Sequence, residues 1–502
     1  MTISQKKLLE RHPGEPRIRS GAGDGVQRSS RQKSGTVSKT GSRFSPGTPD
    51  SGLRRNDKLC GIASFYQFMN FEAEDMSDPI EILPIENLKA EVRVPGSKSY
   101  TQRALVIASL AEGKSLLRNP LRSEDTDYLA EALRLLGAEI APRGEDLLVT
   151  GTGGRIRNPG KEIYLGNNGT ATRFLVSVVS LGSGDYRLTG TPRLSERPVS
   201  PLLNALRDLG GSSACETKDG YLPLIIHARG IRGGKVSFDR VESSQYISSL
   251  LICAPFARGD VEVSVKGALV SRPYVAMTAE AMGNFGVFVD MEGENLFSVR
   301  GGQRYRGTDY SIEGDASSAS YFFLAAALCR GKVRVLNLNP GTLQGDGRFL
   351  GILERLGCSV SSGGSWVEVT GKKLIGGELV FDMGDMPDMV PTLAVLSAVR
   401  PGRTVIRNAA HLRIKESDRL QATARELART GIRVEEREDG LEITGGSPRG
   451  AEIETYDDHR IAMSFAMLGL LVPGMRIRGG GCVRKSFPGF WEEMEKLNGR
   501  DP

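Results

Sequence analysis

The chain is poor in the residues that announce metal or redox chemistry. It has four histidines in 502 residues. Its six cysteines (Cys60, Cys215, Cys253, Cys329, Cys358 and Cys482) are scattered, and no CxxC pair occurs. That spacing gives neither a zinc site nor a disulfide framework, and it fits a reducing cytosol. No uninterrupted apolar run reaches the roughly 18 residues a membrane span needs. A Walker-type Gly-Lys loop is missing, and no GxGxxG run precedes a predicted helix, so neither nucleotide motif has support. The expected location is the cytoplasm.

The net charge of +6 is lopsided. Residues 1–60 hold thirteen Lys and Arg against five Asp and Glu, which leaves the rest of the chain close to neutral or slightly acidic. A basic face for nucleic acid is therefore not a property of the folded part. Residues 1–75 are rich in Ser, Gly, Arg and Pro and lack apolar periodicity, so a disordered basic tail is expected there. A transit peptide is a weaker reading, because Glu10, Glu15 and Asp24 interrupt it. A third reading is a start assigned too early, with Met76 the true beginning. The tail could touch polyanions loosely, but specific nucleic-acid recognition is not expected.

Beyond the tail, one unit is written six times at a period of about 70 residues. Small polar residues open it, an apolar helical stretch follows, Gly stops the helix, and a strand resumes. The openings are Ser97-Lys-Ser-Tyr-Thr-Gln-Arg103, Asn167-Asn-Gly-Thr-Ala-Thr-Arg173, Ser243-Ser-Gln-Tyr246, Ser317-Ser-Ala-Ser-Tyr321, Met386-Pro-Asp388 and Asp457-Asp-His-Arg460. Helices apolar nearly all round belong in a core. Their N-termini expose unpaired N–H groups and partial positive charge, which Ser, Thr, Asn, Asp or a bound anion can satisfy. For one copy, simple capping is the plainer reading. For six copies, with Lys98, Arg103, Arg173 and Arg460 within a turn of the starts, a site for a multiply charged anion is the better one. A second, amphipathic helix recurs, ending at Gly137, Gly210, Gly286, Gly357 or Gly431.

This pattern predicts an α/β chain of two similar domains, each of three repeats that hold one buried helix, one half-buried helix and several short strands. Copies one to three occupy residues 95–311. Residues 76–94 and 312–502 supply the first strand and copies four to six, with the join near Tyr310–Asp315.

The densest motifs are Pro95-Gly-Ser-Lys-Ser-Tyr-Thr-Gln-Arg103, Gly166-Asn-Asn-Gly-Thr-Ala-Thr-Arg173, Ser195-Glu-Arg-Pro198, Glu242-Ser-Ser-Gln245, Glu313-Gly-Asp-Ala-Ser-Ser-Ala-Ser-Tyr321, Arg413-Ile-Lys-Glu-Ser-Asp-Arg419, Asp457-Asp-His-Arg-Ile-Ala-Met463 and Arg484-Lys-Ser-Phe-Pro488. As an ordered set over roughly residues 80–498 they resemble the enolpyruvyl transferase family, in the branch that acts on shikimate 3-phosphate. The resemblance implies three βαβαββ-type units in each domain, forming an inside-out α/β barrel, with the two domains closing on an interdomain cleft. It implies transfer of the enolpyruvyl group of phosphoenolpyruvate to the 5-hydroxyl of shikimate 3-phosphate, with release of phosphate. Neither cofactor nor metal is implied, and the expected state is a monomer with small-molecule substrates and no membrane partner.

By the same resemblance, Lys98, Arg197, Arg419, Arg460 and Lys485 hold phosphoenolpyruvate, with Asn167, Gly169 and Gln245 beside them. Shikimate 3-phosphate falls to Ser99, Arg103, Ser243, Ser244, Gln245, Ser271, Asp388, His411 and Lys415. Asp388, Glu416 and Lys98 carry the proton transfers. The plainer readings are a helix cap for Asp388, and for Glu416 a salt bridge to Lys415, Arg413 or Arg419. His411 stands where many relatives have Asn, and Asn-Asn-Gly replaces the common Asn-Ala-Gly. Because Gly169 is kept, sensitivity to glyphosate is expected. The competing readings are the branch that uses a UDP-amino sugar and a binding protein of the same fold without activity. Lys98-Ser99 where that branch has Lys-Asn, and the absence of a comparable loop cysteine, count against the first.

Overall fold

The computed structural model describes residues 79–497. The predicted basic tail, Met76 and Cys60 lie outside them.

Six helices begin at the six polar openings: α1 (Lys98–Leu110), α2 (Gly169–Ser180), α3 (Ser244–Cys253), α4 (Ala316–Cys329), α5 (Val390–Val399) and α6 (His459–Gly469). Burial follows the apolar sequence. Every residue of α4 from Ala316 to Leu328 is buried, and in α1 even Thr101, Gln102 and Arg103 are. The amphipathic helices are Glu124–Leu135, Ser200–Asp208, Pro273–Asn284, Phe349–Arg355 and Arg419–Arg429. Behind them Gly137, Gly210, Gly286, Gly357 and Gly431 take φ between 85° and 112°, a region that only glycine enters freely.

The strands form one small sheet per repeat. In five of the six described sheets a central strand pairs parallel with one neighbour and antiparallel with a hairpin strand on its other side. The sixth sheet keeps the parallel pair Glu452–Glu454 with Met475–Arg478 and takes Ile80–Ile82 as its antiparallel third strand. The first and fourth repeats exchange a strand. Lys89–Val92, which precedes α1, pairs with Lys332–Val335, which follows α4. Asp309–Ser311, which precedes α4, pairs with Lys114–Arg118, which follows α1.

Two separate apolar cores result. One runs from Tyr100 to Ile312 and surrounds α1–α3; the other joins Ile82–Val94 to Ala316–Leu497 around α4–α6. Helices lie inside and sheets outside in both, the inverse of a usual α/β layer order. At the junction the two chain crossings run side by side: Ser97 N–H donates to Glu313 O at 2.8 Å and Asp315 N–H to Pro95 O at 2.9 Å.

Capping is less uniform than the sequence predicts. Asn168, Ser243, Asp315 and Asp458 accept from the first turns of α2, α3, α4 and α6. Ser97 does not cap α1, and its buried Oγ has no described partner. Helix α5 has no side-chain cap; it follows a 3-10 turn, Pro387–Met389, and its Pro391 needs no N–H partner.

Candidate active site

The helix starts converge. Lys98 and Ser99 of α1, Gly169 and Thr170 of α2, Ser244 and Gln245 of α3, Ser317 and Ser318 of α4, Asp388 ahead of α5 and Arg460 of α6 all line one cleft between the two cores. Arg103, Arg197, Ser243, Ser271, His411, Lys415, Glu416 and Arg419 complete the predicted set there. Two predicted residues stand just behind the wall. Lys485 donates from Nζ to Asn167 O at 3.3 Å, and Arg197 Nη1 reaches the same carbonyl at 3.2 Å. It is therefore Asn168, and not Asn167, that meets the cleft.

Six cations and five carboxylates line this space among the described residues, and Lys98, Arg197, Arg419 and Arg460 each lie within 4 Å of a carboxylate. Arg419, almost wholly buried, lies at the centre of one network. It donates to Asp458 at 2.8 Å, to Asp388 at 2.8 Å and to Glu416 at 2.7 Å. Arg460 takes the other oxygen of Asp388 at 2.8 Å. Burial alone would raise Asp388, but Arg460, Lys415 and Arg419 outweigh it and hold the carboxyl well below its usual range. Glu416 is held low in the same way: burial opposes ionisation, and Arg419, Arg197, Lys98 and Lys485 override it. The plainer reading of Glu416, a pair with Arg419, is thus present, with Arg197 a further 3.8 Å contact.

A second network surrounds Asp125, which sequence reasoning missed. Its carboxylate meets Lys98 at 3.4 Å and Lys485 at 3.2 Å. Asp125 reads in sequence as an ordinary first-turn acid of an amphipathic helix, and nothing local marks it. Tyr274, Asp315 and Ser317 also line the cleft unassigned, as does Glu242.

Several residues explain their own identity. A Cβ on Gly169 would fall 2.4 Å from Arg173 Nη1 and 2.5 Å from Arg197 Nη2. Arg173 itself turns inward to the carbonyls of Gly169 and Pro198, so of the four cations near helix starts it alone misses the cleft. Arg103 lines the cleft but directs its guanidinium to Thr278 Oγ1 at 2.7 Å, Ser99 O at 2.9 Å and Tyr274 O at 3.0 Å. Burial, and then Lys415, pushes the His411 imidazole down to about 4, so the ring is neutral at neutral pH; its Nε2 has no described partner. Burial lowers Lys415 as well, with Asp388 opposing.

Each half carries three repeats, and the helix N-termini of both halves line one shared cleft. The family model for EPSP synthase (3-phosphoshikimate 1-carboxyvinyltransferase) matches residues 82–494, and the chain belongs to that family. It is 47% identical to the 3-phosphoshikimate 1-carboxyvinyltransferase of Syntrophobacter fumaroxidans over 421 residues, 83% of this chain and 99% of the relative. It is 43% identical to that of Nostoc punctiforme over 423 residues, 84% and 99% of the two chains. Among solved structures, EPSP synthase from Acinetobacter baumannii superposes with a TM-score of 0.70 at 29% identity, covering 84% of this chain and 98% of that one.

Proposed function

We propose that the chain transfers the enolpyruvyl group of phosphoenolpyruvate to the 5-hydroxyl of shikimate 3-phosphate and releases phosphate, a step of aromatic amino acid biosynthesis. The observation that carries this reading is the convergence of six helix starts on one cleft with Lys98, Arg197, Arg419, Arg460 and Lys415 beside the carboxylates of Asp388 and Glu416. Both substrates bear a carboxylate and a phosphate. Six cations against five carboxylates leave the side chains of the cleft near neutrality; the helix N-termini add the positive ends that attract such anions.

In this reading Lys98, Arg197, Arg419, Arg460 and Lys485 bind phosphoenolpyruvate beside Asn167, Gly169 and Gln245. Ser99, Arg103, Ser243, Ser244, Gln245, Ser271, Asp388, His411 and Lys415 bind shikimate 3-phosphate. The 5-hydroxyl adds to C2 of phosphoenolpyruvate as C3 gains a proton. The tetrahedral intermediate then loses a proton from C3 and expels phosphate. Asp388, kept ionised by two arginines, takes the hydroxyl proton. Glu416 moves the C3 proton and Lys98 stabilises charge. Arriving phosphate and carboxylate groups offset Arg419, Arg197, Lys98 and Lys485, the charges that hold Glu416 low, so substrate itself raises the Glu416 carboxyl toward a useful proton affinity.

In the same reading the protein acts as a cytoplasmic monomer, and the halves 95–311 and 76–94 with 312–502 behave as separate bodies. The two independent apolar cores support that division. The test is phosphate release from phosphoenolpyruvate with shikimate 3-phosphate or, separately, UDP-N-acetylglucosamine as acceptor. Release dependent on shikimate 3-phosphate is expected; release with the UDP-sugar alone, or with neither, overturns the reading.

A further inference from the structure

One side chain outside the assigned set ties the two cores together at the site. Arg193 stands in a four-residue helical turn, Pro192–Ser195, in the first core. The turn is fixed at its base. Thr191 N–H donates to Gly166 O at 2.9 Å, the Thr191 side chain accepts from Leu194 N–H, and Leu194 is 1% exposed. Arg193 is thereby anchored to the neighbouring loop, which presents Asn168 and Gly169 to the cleft.

Its guanidinium crosses to the second core and meets main chain only. Nη2 donates to Lys415 O at 2.9 Å and to Arg413 O at 3.3 Å. Nε donates to Lys415 O at 3.2 Å and Glu416 O at 3.2 Å. Nη1 is held from its own core by Glu196 at 2.7 Å. The captured segment joins the 3-10 turn Ala410–Ile414 to the helix Arg419–Arg429, and Lys415 and Glu416 lie outside any helix or strand. His411, Lys415, Glu416 and Arg419, all on this short stretch, line the cleft.

We propose that Arg193 is a positioning residue: by holding the carbonyls of Arg413, Lys415 and Glu416 from the opposite core, it sets where the Glu416 carboxylate stands. The inference rests on the role assigned above to Glu416. It follows from geometry. Glu416 has its side chain tied to Arg419 within its own core, but among the described residues only Arg193 is bonded to its main chain. A planar fork with five N–H donors can span carbonyls of successive residues, whereas a lysine offers a point charge. Arg193 also makes the placement of Glu416 depend on the two cores meeting, because fork and carbonyls come from different ones.

The experiment is steady-state kinetics of Arg193→Ala and Arg193→Lys in the full chain, with thermal denaturation in parallel. A loosened reacting group costs roughly 10- to 100-fold in kcat, so that loss is expected, with the KM of both substrates within about threefold of wild type. Added guanidinium ion should restore part of the kcat of Arg193→Ala at unchanged Tm, which a purely structural defect would not allow. If Arg193→Ala does not fold, Arg193→Lys carries the same expected loss. A kcat within about threefold of wild type, or a loss confined to KM, overturns the proposal. Wild-type enzyme inactive with shikimate 3-phosphate would instead overturn the functional reading beneath it.

Discussion

Asp458 does two things for Arg419 and its surroundings at once. It receives the Arg419 fork, Nε at 2.8 Å on Oδ2 and Nη2 at 3.2 Å on Oδ1, and the same Oδ1 caps α6 by accepting from Arg460 N–H at 3.0 Å. One wholly buried carboxylate thus holds the side chain of Arg419 and the backbone from which Arg460 projects, the two arginines that flank Asp388.

Removing it should be costly. Asp458→Ala leaves Arg419 buried without its main partner and is expected to destabilise by about 3–5 kcal/mol. Asp458→Asn keeps a capping oxygen and should lose less. Urea unfolding of the two variants checks the order; equal midpoints with wild type would refute it.

Glu416→Gln keeps the shape and the bond to Arg419 but cannot carry a proton. The expected result is a fall in kcat of about 10²–10⁴-fold with little change in KM. Near-normal turnover would remove Glu416 from the proton path.

Gly169→Ala should act through Arg197. The added Cβ falls 2.5 Å from Nη2 and 2.6 Å from Cζ of a guanidinium that is itself buried, so the fork must shift. Losing one charge-assisted contact corresponds to about a tenfold rise in the KM for phosphoenolpyruvate. Wild-type enzyme should be sensitive to glyphosate, and the variant less so. Inhibition assays that find wild type unaffected by a large excess of glyphosate over phosphoenolpyruvate would contradict this.

The pH dependence of stability should carry the mark of Asp346. Ser317 donates to its carboxylate, Tyr274 Oη lies 3.5 Å away, and its Oδ1 has no described partner. Burial, then the Asp388 charge, pushes Asp346 up to about 7, with Arg460 opposing and Asp315 adding to the rise. The folded protein therefore keeps a proton that the unfolded chain releases near 3.8. The associated stability is complete below the lower value and is lost as pH rises through the upper one. Asp346→Asn abolishes this titration, so the variant should gain on wild type between about pH 4 and about pH 7 in urea unfolding. A constant difference between the two proteins would exclude the shift.

What could be read from the residues was whatever repeats or acts locally. The six helices, their starts and the five terminal glycines follow from apolar periodicity and from capping chemistry within a few positions. The strand exchange does not, because Lys89–Val92 and Asp309–Ser311 each look like the opening strand of the repeat that contains them. The same limit hid parts of the site. Asp125, Tyr274 and Arg193 matter through partners supplied by other repeats, such as Lys485 for Asp125 and the Lys415 carbonyl for Arg193. Asn167 and Asn168 are adjacent and chemically alike, so only the backbone path decides which faces the cleft. His411 lines the cleft with Lys415, and its neutral state depends on burial that sequence does not display.

The exchanged strands also separate the order of synthesis from the order of assembly. The strand Lys89–Val92 leaves the ribosome before all of α1–α3 and has no sheet to join until Lys332–Val335 has been made. The first core, by contrast, is complete once Asp309–Ser311 emerges and seals the sheet begun by Lys114–Arg118. Nascent chains that have emerged as far as Ile312 should therefore display one finished half carrying two unpaired strands, Ile80–Ile82 and Lys89–Val92, a vectorial schedule in which the earliest strands wait for the later half of the chain.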